Sequence, residues 1–324
     1  MRFTPNAYES VLGAHAAGMR AIPDFSEKNT MTTFSGIVKD ELIIKAINDL
    51  GFTEPTEIQA KTITPALEGK DLIGQAKTGS GKTFAFGIPI LHKINHERSP
   101  QALILAPTRE LCQQITTELR KICKYKKARI AAVYGGVSIN PQIEQLHDAQ
   151  IVVGTPGRIL DHLERDTFRT SHIRTFVLDE ADRMFDMGFI DDVERIAQAI
   201  PPKRQTLLFS ATMPHAVKEL TKKYQQDPVH IKAVTHVEEH LLPQFYYVVE
   251  HNRKFSLLMH LIEQERPKLG IIFCATRHIV DVVARNMQRH NMNAQAIHGG
   301  LSQAKRDRVI QDFKAGKISV LVAT

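Results

Sequence analysis

The apolar positions of this chain fall into short Val/Ile/Leu-rich runs that alternate with longer stretches in which apolar residues recur every three or four positions. Runs of this length suit strands buried on both faces, and the three-to-four spacing marks one face of a helix. Strands are predicted at Leu72 to Gln75, Ala102 to Ala106, Arg129 to Tyr134, Ile151 to Gly154, Phe176 to Leu178, Thr206 to Ser210 and Val229 to Lys232. Helices are predicted between them at Phe84 to Ile94, Glu110 to Cys123, Pro141 to Asp148, Arg158 to Glu164, Asp191 to Ala199 and Ala216 to Tyr224. Upstream, Val38 to Leu50 and Glu57 to Leu67 read as helices, followed by Gly51 and Gly69 as stop residues. Such alternation builds a parallel sheet covered by helices on both faces.

The pattern lapses after Asp227-Pro228 into the polar stretch Thr235 to His240 and Pro243, then resumes. Strands are predicted at Gln244 to Val249, Gly270 to Cys274, Ala294 to Ile297 and Ser319 to Ala323. Helices are predicted at Lys254 to Gln264, Ile279 to Arg289 and Gln303 to Ala315. The chain therefore divides into a flexible extension (1–30), a first α/β unit (31–234), a linker (235–243) and a second, shorter α/β unit (244–324). The second unit stops in mid-strand and is expected to be incomplete. Val11 to Met19 is a poor core for a signal peptide, being interrupted by His15.

Charge adds a partner to this picture. The formal net charge is +7 and the pI about 9.2, which suits a polyanion such as nucleic acid. The 3 cysteines, Cys112, Cys123 and Cys274, lack ligand or redox spacing, so a reducing, cytoplasmic setting is expected and a disulfide scaffold or zinc module is not. No apolar run approaches the ~18 residues of a membrane span.

The candidate chemistry centres on Ala76-Lys77-Thr78-Gly79-Ser80-Gly81-Lys82-Thr83, between a predicted strand and a predicted helix. This is the phosphate-loop pattern, with Ala76 where the first glycine usually stands. Gly79 and Gly81 permit a tight turn whose N–H groups face phosphate oxygens. Lys82 brings a point charge, Thr83 a hydroxyl for Mg²⁺, and the helix its positive dipole end. Asp179 and Glu180 follow another buried strand, where a P-loop ATPase keeps a carboxylate for Mg²⁺ and one for the attacking water. Taken alone, they would be read as an acidic helix start stabilised by the dipole; the phosphate loop turns the balance toward the ion.

The literal Asp-Glu-Ala-Asp occurs at Asp179 to Asp182. Gly51 to Gln59, Pro107 to Leu111, Gly135-Gly136, Thr155 to Arg158 and Ser210 to Thr212 follow in the right order around it, and from Phe34 to Thr324 the chain resembles the DEAD-box ATP-dependent RNA helicases of superfamily 2. The resemblance implies two RecA-like domains, ATP and Mg²⁺ as cofactors, and RNA held by its backbone. It implies that Gln59 pairs with adenine, that Phe34 stacks on the base, and that Asp182, Ser210 and Thr212 couple nucleotide to RNA. It assigns RNA contacts to Thr108, Arg109, Gly136, Thr155, Gly157 and Arg158. In the second unit it assigns them to Thr276, Arg277, Gly299 and Arg306. For Gln59 and Phe34 the residues alone would favour a solvent-facing helix position and a hydrophobic staple.

The family's fifth and sixth motifs find no counterpart before Thr324. The resemblance therefore implies a fragment that binds ATP and RNA but hydrolyses poorly. The same motifs would serve an ATP-gated RNA clamp that does little unwinding. A DNA translocase is a third reading, against which the Asp-Glu-Ala-Asp and the Gln59 stretch argue.

Overall fold

The structure, a computed structural model, describes residues 33–233 and 243–324. The expected extension 1–30 and most of the expected linker lie outside these residues. The first part contains α1 (Phe34–Ile37), α2 (Glu41–Asp49), α3 (Glu57–Leu67), β1 (Leu72–Gln75), α4 (Lys82–Lys93), β2 (Ala102–Leu105), α5 (Arg109–Ile122) and β3 (Ile130–Val133). It continues with α6 (Asn140–Asp148), β4 (Ile151–Gly154), α7 (Pro156–Glu164), β5 (Thr175–Leu178), α8 (Ala181–Asp186), α9 (Ile190–Ala199), β6 (Gln205–Ser210), α10 (His215–Tyr224) and β7 (Val229–Lys232). After a short 3-10 turn at His251–Arg253 come α11 (Lys254–Glu265), β8 (Gly270–Phe273), α12 (Arg277–Arg289), β9 (Ala294–Ile297), α13 (Gln303–Lys314) and β10 (Val320–Ala323).

The strands form two sheets. One has seven strands in the order β3-β4-β2-β5-β6-β1-β7 and the other three, β8-β10-β9; every pairing is parallel. Successive residues of each strand face opposite sides. Ile104, Val177, Leu207 and Phe209 enter one core layer, while Leu103, Leu105, Phe176 and Leu208 enter the other. This is why the strands of the first sheet are apolar at nearly every position: both faces are covered. In the smaller sheet only the central strand β10 repeats the plan, with Val320 and Val322 on one side and Leu321 on the other, while β8 leaves Ile271 and Phe273 exposed.

Helix starts are set by side chains that periodicity does not register. Asp40 accepts from the backbone N–H groups of Leu42 and Ile43 at 3.1 and 3.2 Å, so α2 starts at Glu41 and not at Val38. Thr108 does the same for α5, accepting from Leu111 N at 3.2 Å. The strand expected at Gln244 to Val249 is not formed; Pro243 to Glu250 is irregular. Its apolar alternation resembles a strand, but among the described residues no strand pairs with it, and Phe245, Tyr246 and Val248 are 78%, 90% and 94% exposed.

Candidate nucleotide and RNA site

The carboxyl ends of the parallel strands carry nearly all the chemistry expected of the first unit. In an open parallel sheet that is the edge where crevices for ligands form. The loop from Ala76 to Gly81 joins β1 to α4, and Asp179 follows β5 two strands away, across β6. Lys82 is buried, donates to Ala76 O at 3.1 Å, and lies 4.0 Å from the Asp179 carboxylate. Burial pushes the Asp179 carboxyl up to about 6; the Lys82 ammonium opposes this and the Glu180 carboxylate adds to it. Glu180 adopts a left-handed backbone (φ 54°, ψ 51°), uncommon for a residue with a side chain. In that pose Glu180 Oε1 accepts from the Thr78 hydroxyl at 3.0 Å and Oε2 from Arg183 at 3.2 Å. A cavity of about 290 Å³ opens here, lined by the loop, Lys82, Thr83, Asp179, Glu180, Gln59 and Phe52.

Gln59 is bound more tightly to the phosphate loop than sequence alone conveys. Its Nε2 donates to Gly81 O at 3.0 Å and its Oε1 accepts from Thr56 N at 2.9 Å. The Thr56 hydroxyl donates to Ser80 O at 2.8 Å. Gly81 has φ +91°, and a side chain there would collide with the Gln59 amide. The start of α3 and the phosphate loop are thus one hydrogen-bonded unit. Phe34 is a correction: it is 3% exposed in the core and does not line the cavity, so its ring has no open face for a base. Phe52 has one. It is 48% exposed, lines the cavity, and meets Phe84 edge-on with ring centroids 5.4 Å apart. The sequence held the sign of it, an aromatic directly after the turn glycine Gly51.

Asp182 joins two strand ends. Its carboxylate accepts from Thr212 N at 2.8 Å and from the Thr212 hydroxyl at 2.9 Å, while its own N–H donates to Ser210 Oγ at 3.2 Å. Burial raises the Asp182 carboxyl, but the Thr212 and Ser210 hydrogen bonds outweigh that and hold it below the usual range. These three expected coupling residues are brought together.

The expected RNA residues of the first unit lie along the same sheet edge, after β2, β3 and β4. Arg109 lies over the Tyr134 ring, its guanidinium carbon 5.1 Å from the centroid. Gly136 has φ +77°, and a side chain there would come within 2.5 Å of the same guanidinium. Both terminal nitrogens of Arg158 donate to Val137 O, at 3.2 and 3.1 Å. Thr155 stands at the N-cap position of α7 without a capping bond from its side chain, and, two positions on, a side chain added at Gly157 would meet only open space. In the second unit Thr276 caps α12, accepting from Ile279 N at 3.2 Å. Arg277 lies beside Gly299, where an added side-chain carbon would come 3.5 Å from it. His298 Nδ1 accepts from Gly300 N at 3.1 Å, so the ring proton sits on Nε2, 3.2 Å from Asp281. Gln303 Nε2 reaches Glu110 Oε1 at 2.8 Å, a contact that motif matching did not anticipate. Arg109 Nε, Gln303 Oε1 and Arg306 Nε are buried with no protein partner.

Comparison with known proteins decides the family. The DEAD/DEAH box helicase model matches residues 56–220, about half of the chain. The chain belongs to the DEAD/DEAH box helicase family. The model of the helicase conserved C-terminal domain matches residues 253–324 of this DEAD-box chain. It is 50% identical over 298 residues to the ATP-dependent RNA helicase CshA of Listeria monocytogenes, covering 91% of this chain and 57% of that protein. It is 46% identical over 296 residues to CshA of Bacillus subtilis, covering 90% and 60%. The chain thus spans less than two thirds of these relatives. Among solved structures it resembles Saccharomyces cerevisiae Dbp5 bound to RNA and ADP BeF3, with TM-score 0.81 and 32% identity over 90% of this chain and 75% of that one. It also resembles a DEAD box protein of Methanococcus jannaschii, with TM-score 0.62 and 42% identity over 90% and 80%.

Proposed function

We propose that this chain is the ATP- and RNA-binding part of an ATP-dependent RNA helicase located in the cytoplasm. The observation that carries the reading is the group around Lys82: a buried ammonium, Asp179 at 4.0 Å, and Glu180 held by Thr78, all facing one cavity. The site suits a Mg²⁺-nucleotide. Ser80 Oγ is buried without a partner, and Lys82 has only Ala76 O and a distant carboxylate. Thr83 and Asp179 would hold the ion, directly or through its waters. When bound, Mg²⁺ neutralises phosphate charge and orients the terminal phosphate.

Lys82 would leave Ala76 O for a phosphate oxygen. Glu180 would accept a hydrogen bond from the attacking water and hold it in line. Phe52 offers its exposed face to the base, and Gln59 would exchange Gly81 O and Thr56 N for the hydrogen-bonding edge of adenine. Such an exchange loosens α3 from the loop, so base recognition and loop conformation are linked. Asp182 passes the state of the Asp179–Glu180 turn to Thr212 and the end of β6.

RNA would lie along Thr108, Arg109, Gly136, Thr155, Gly157 and Arg158, with Thr276, Arg277, Gly299 and Arg306 on the second unit (244–324). The residue types suit a sugar-phosphate backbone and not base edges. The buried, unpartnered Arg109 Nε, Gln303 Oε1 and Arg306 Nε near this face support a polar ligand there. Strand displacement measured beside RNA retention separates helicase from clamp. In a chain extended to the length of its relatives, ATP-dependent displacement of a short duplex is the expected result; retention without displacement by that longer chain would favour the clamp. ATPase stimulation by DNA equal to that by RNA would contradict RNA as the partner.

A further inference from the structure

The opposite edge of the seven-stranded sheet, where its strands begin, has no part in the site above. A cavity of about 530 Å³ lies there, between the end of α4 and the starts of β3 and β4. Its apolar part includes Leu42, Leu91 and Ile94, and its charged part Arg98, Lys127 and Arg129. His96 and Lys126 also line it, and no Asp or Glu does. The volume is that of an ordinary small-ligand pocket.

The partners of these cations differ in a telling way. Lys126 is committed to Asp40 at 2.6 Å. Arg129 and Arg98 share one carboxylate: Asp148 Oδ2 lies 3.0 Å from Arg129 and 4.0 Å from Arg98. Asp148 comes from the last turn of α6, and its side chain is 52% exposed. Lys127 has no carboxylate within ion-pair distance among the described residues and sits in a left-handed turn (φ 54°) that sets it at the rim. Two guanidinium groups are thus bridged by an anionic oxygen from the rim, beside an unpaired ammonium and an apolar wall. A phosphate in that position would present more oxygens and more charge than the carboxylate, and planar guanidinium forks bind it well. The apolar wall would then meet a sugar or base.

We propose that the cavity bounded by Arg98, Lys127 and Arg129 is a second phosphate-binding site, separate from the phosphate loop, which takes one nucleotide unit, and that Asp148 is its internal competitor. The unit is either a free nucleotide or part of an RNA strand passing behind the sheet.

The competitor gives the test an unusual sign. Uridine monophosphate and an eight-nucleotide oligouridylate serve as probes, because a pyrimidine monophosphate lacks both the adenine and the polyphosphate that the loop of Ala76 to Thr83 is built for. Each is titrated into the full chain at low salt, and the backbone resonances of Lys127, Ala128 and Gln150 are followed against those of Gly81 and Thr83. We expect shifts at the first group, lost on adding salt because the contacts are charge-driven. Arg129→Ala should weaken the response at least about tenfold. Lys127→Asn, which keeps a residue tolerant of the left-handed turn, should weaken it several-fold. Asp148→Asn should strengthen it about two- to fivefold, the range of one exposed ion pair. Saturation by the monophosphate assigns the site to free nucleotides; a response to the oligonucleotide alone assigns it to RNA. No response to either probe, a response indifferent to Arg129→Ala, or weaker binding by a folded Asp148→Asn would each overturn the proposal.

Discussion

Asp182 and Thr212 are joined twice, through the backbone N–H of Thr212 at 2.8 Å and through its hydroxyl at 2.9 Å. The pair ties the turn after β5, which carries Asp179 and Glu180, to the segment after Ser210 at the end of β6. Thr212→Ala removes one of the two bonds and keeps the other. The lost bond to a charged acceptor is worth about 1–3 kcal/mol in general. The Asp182 site is partly open, so we expect the low end as a fall in stability by denaturant titration. Nucleotide affinity should stay within about twofold while RNA stimulation of ATPase, read in a chain extended to the length of its relatives, drops about tenfold or more. A variant that loses nucleotide affinity and stimulation equally would make the pair merely structural.

Glu180→Gln keeps the hydrogen bond from Thr78 and removes the carboxylate. Hydrolysis should slow by about 10²-fold or more, the scale on which positioned acid–base groups act, with nucleotide affinity little changed. Single-turnover hydrolysis beside equilibrium binding reads the two quantities separately. Equal losses would move Glu180 out of the reaction and into the support of the loop.

Gln59→Ala breaks the bonds to Gly81 O and Thr56 N as well as any bond to a base. The informative quantity is therefore the ratio of ATP to GTP affinity, since loosening the loop weakens both. A bidentate amide–adenine pair discriminates by about 1–3 kcal/mol, so the ratio should fall by about tenfold. An unchanged ratio would confine Gln59 to holding the loop.

His162 offers a pH test away from the site. Its ring is fully buried on α7, Nδ1 lies 2.8 Å from the Thr167 hydroxyl, and Nε2 has no partner. Burial, with Arg158 nearby, lowers its pKa below the ordinary 6.5; Asp161 opposes this. The folded state therefore prefers neutral imidazole, and below pH 6.5 the unfolded chain binds a proton that the folded chain refuses. Stability should fall as pH drops from about 6.5 toward 5.5. His162→Asn, which keeps a polar group beside the Thr167 hydroxyl, should lower stability at pH 7.5 but flatten this slope. Parallel slopes in thermal melts would mean that His162 does not titrate in this window.

The central strands of both sheets were legible because they are buried, and burial leaves a Val/Ile/Leu signature on the chain; β8 carries the same signature although Ile271 and Phe273 are exposed. The P-loop, Asp179 and Glu180 were legible for a different reason: phosphate and Mg²⁺ chemistry admits few residue types. Sequence reasoning failed where a residue type serves two purposes. Phe34 and Phe52 are both aromatics near the start of the first unit, and only packing reveals that Phe34 is sealed in the core while Phe52 keeps an open face. The Phe245 to Val248 run has strand composition, but composition does not supply a neighbour to pair with. Glu110 and Gln303 are 193 positions apart, and nothing local to either one marks their contact.

The central claim is that nucleotide bound at Lys82 and Asp179 strengthens RNA binding through Asp182 and Thr212. The direct measurement is the affinity of the chain for a single-stranded oligonucleotide of RNA, with and without saturating ADP·BeF3·Mg²⁺. We expect the nucleotide to tighten RNA binding at least about fivefold, the lower end of ordinary coupling between sites. Lys82→Ala should abolish the effect by removing nucleotide binding, and Thr212→Ala should shrink it with nucleotide still bound. Tight binding of both ligands to the unaltered chain, with RNA affinity the same in the presence and absence of nucleotide, would contradict the account.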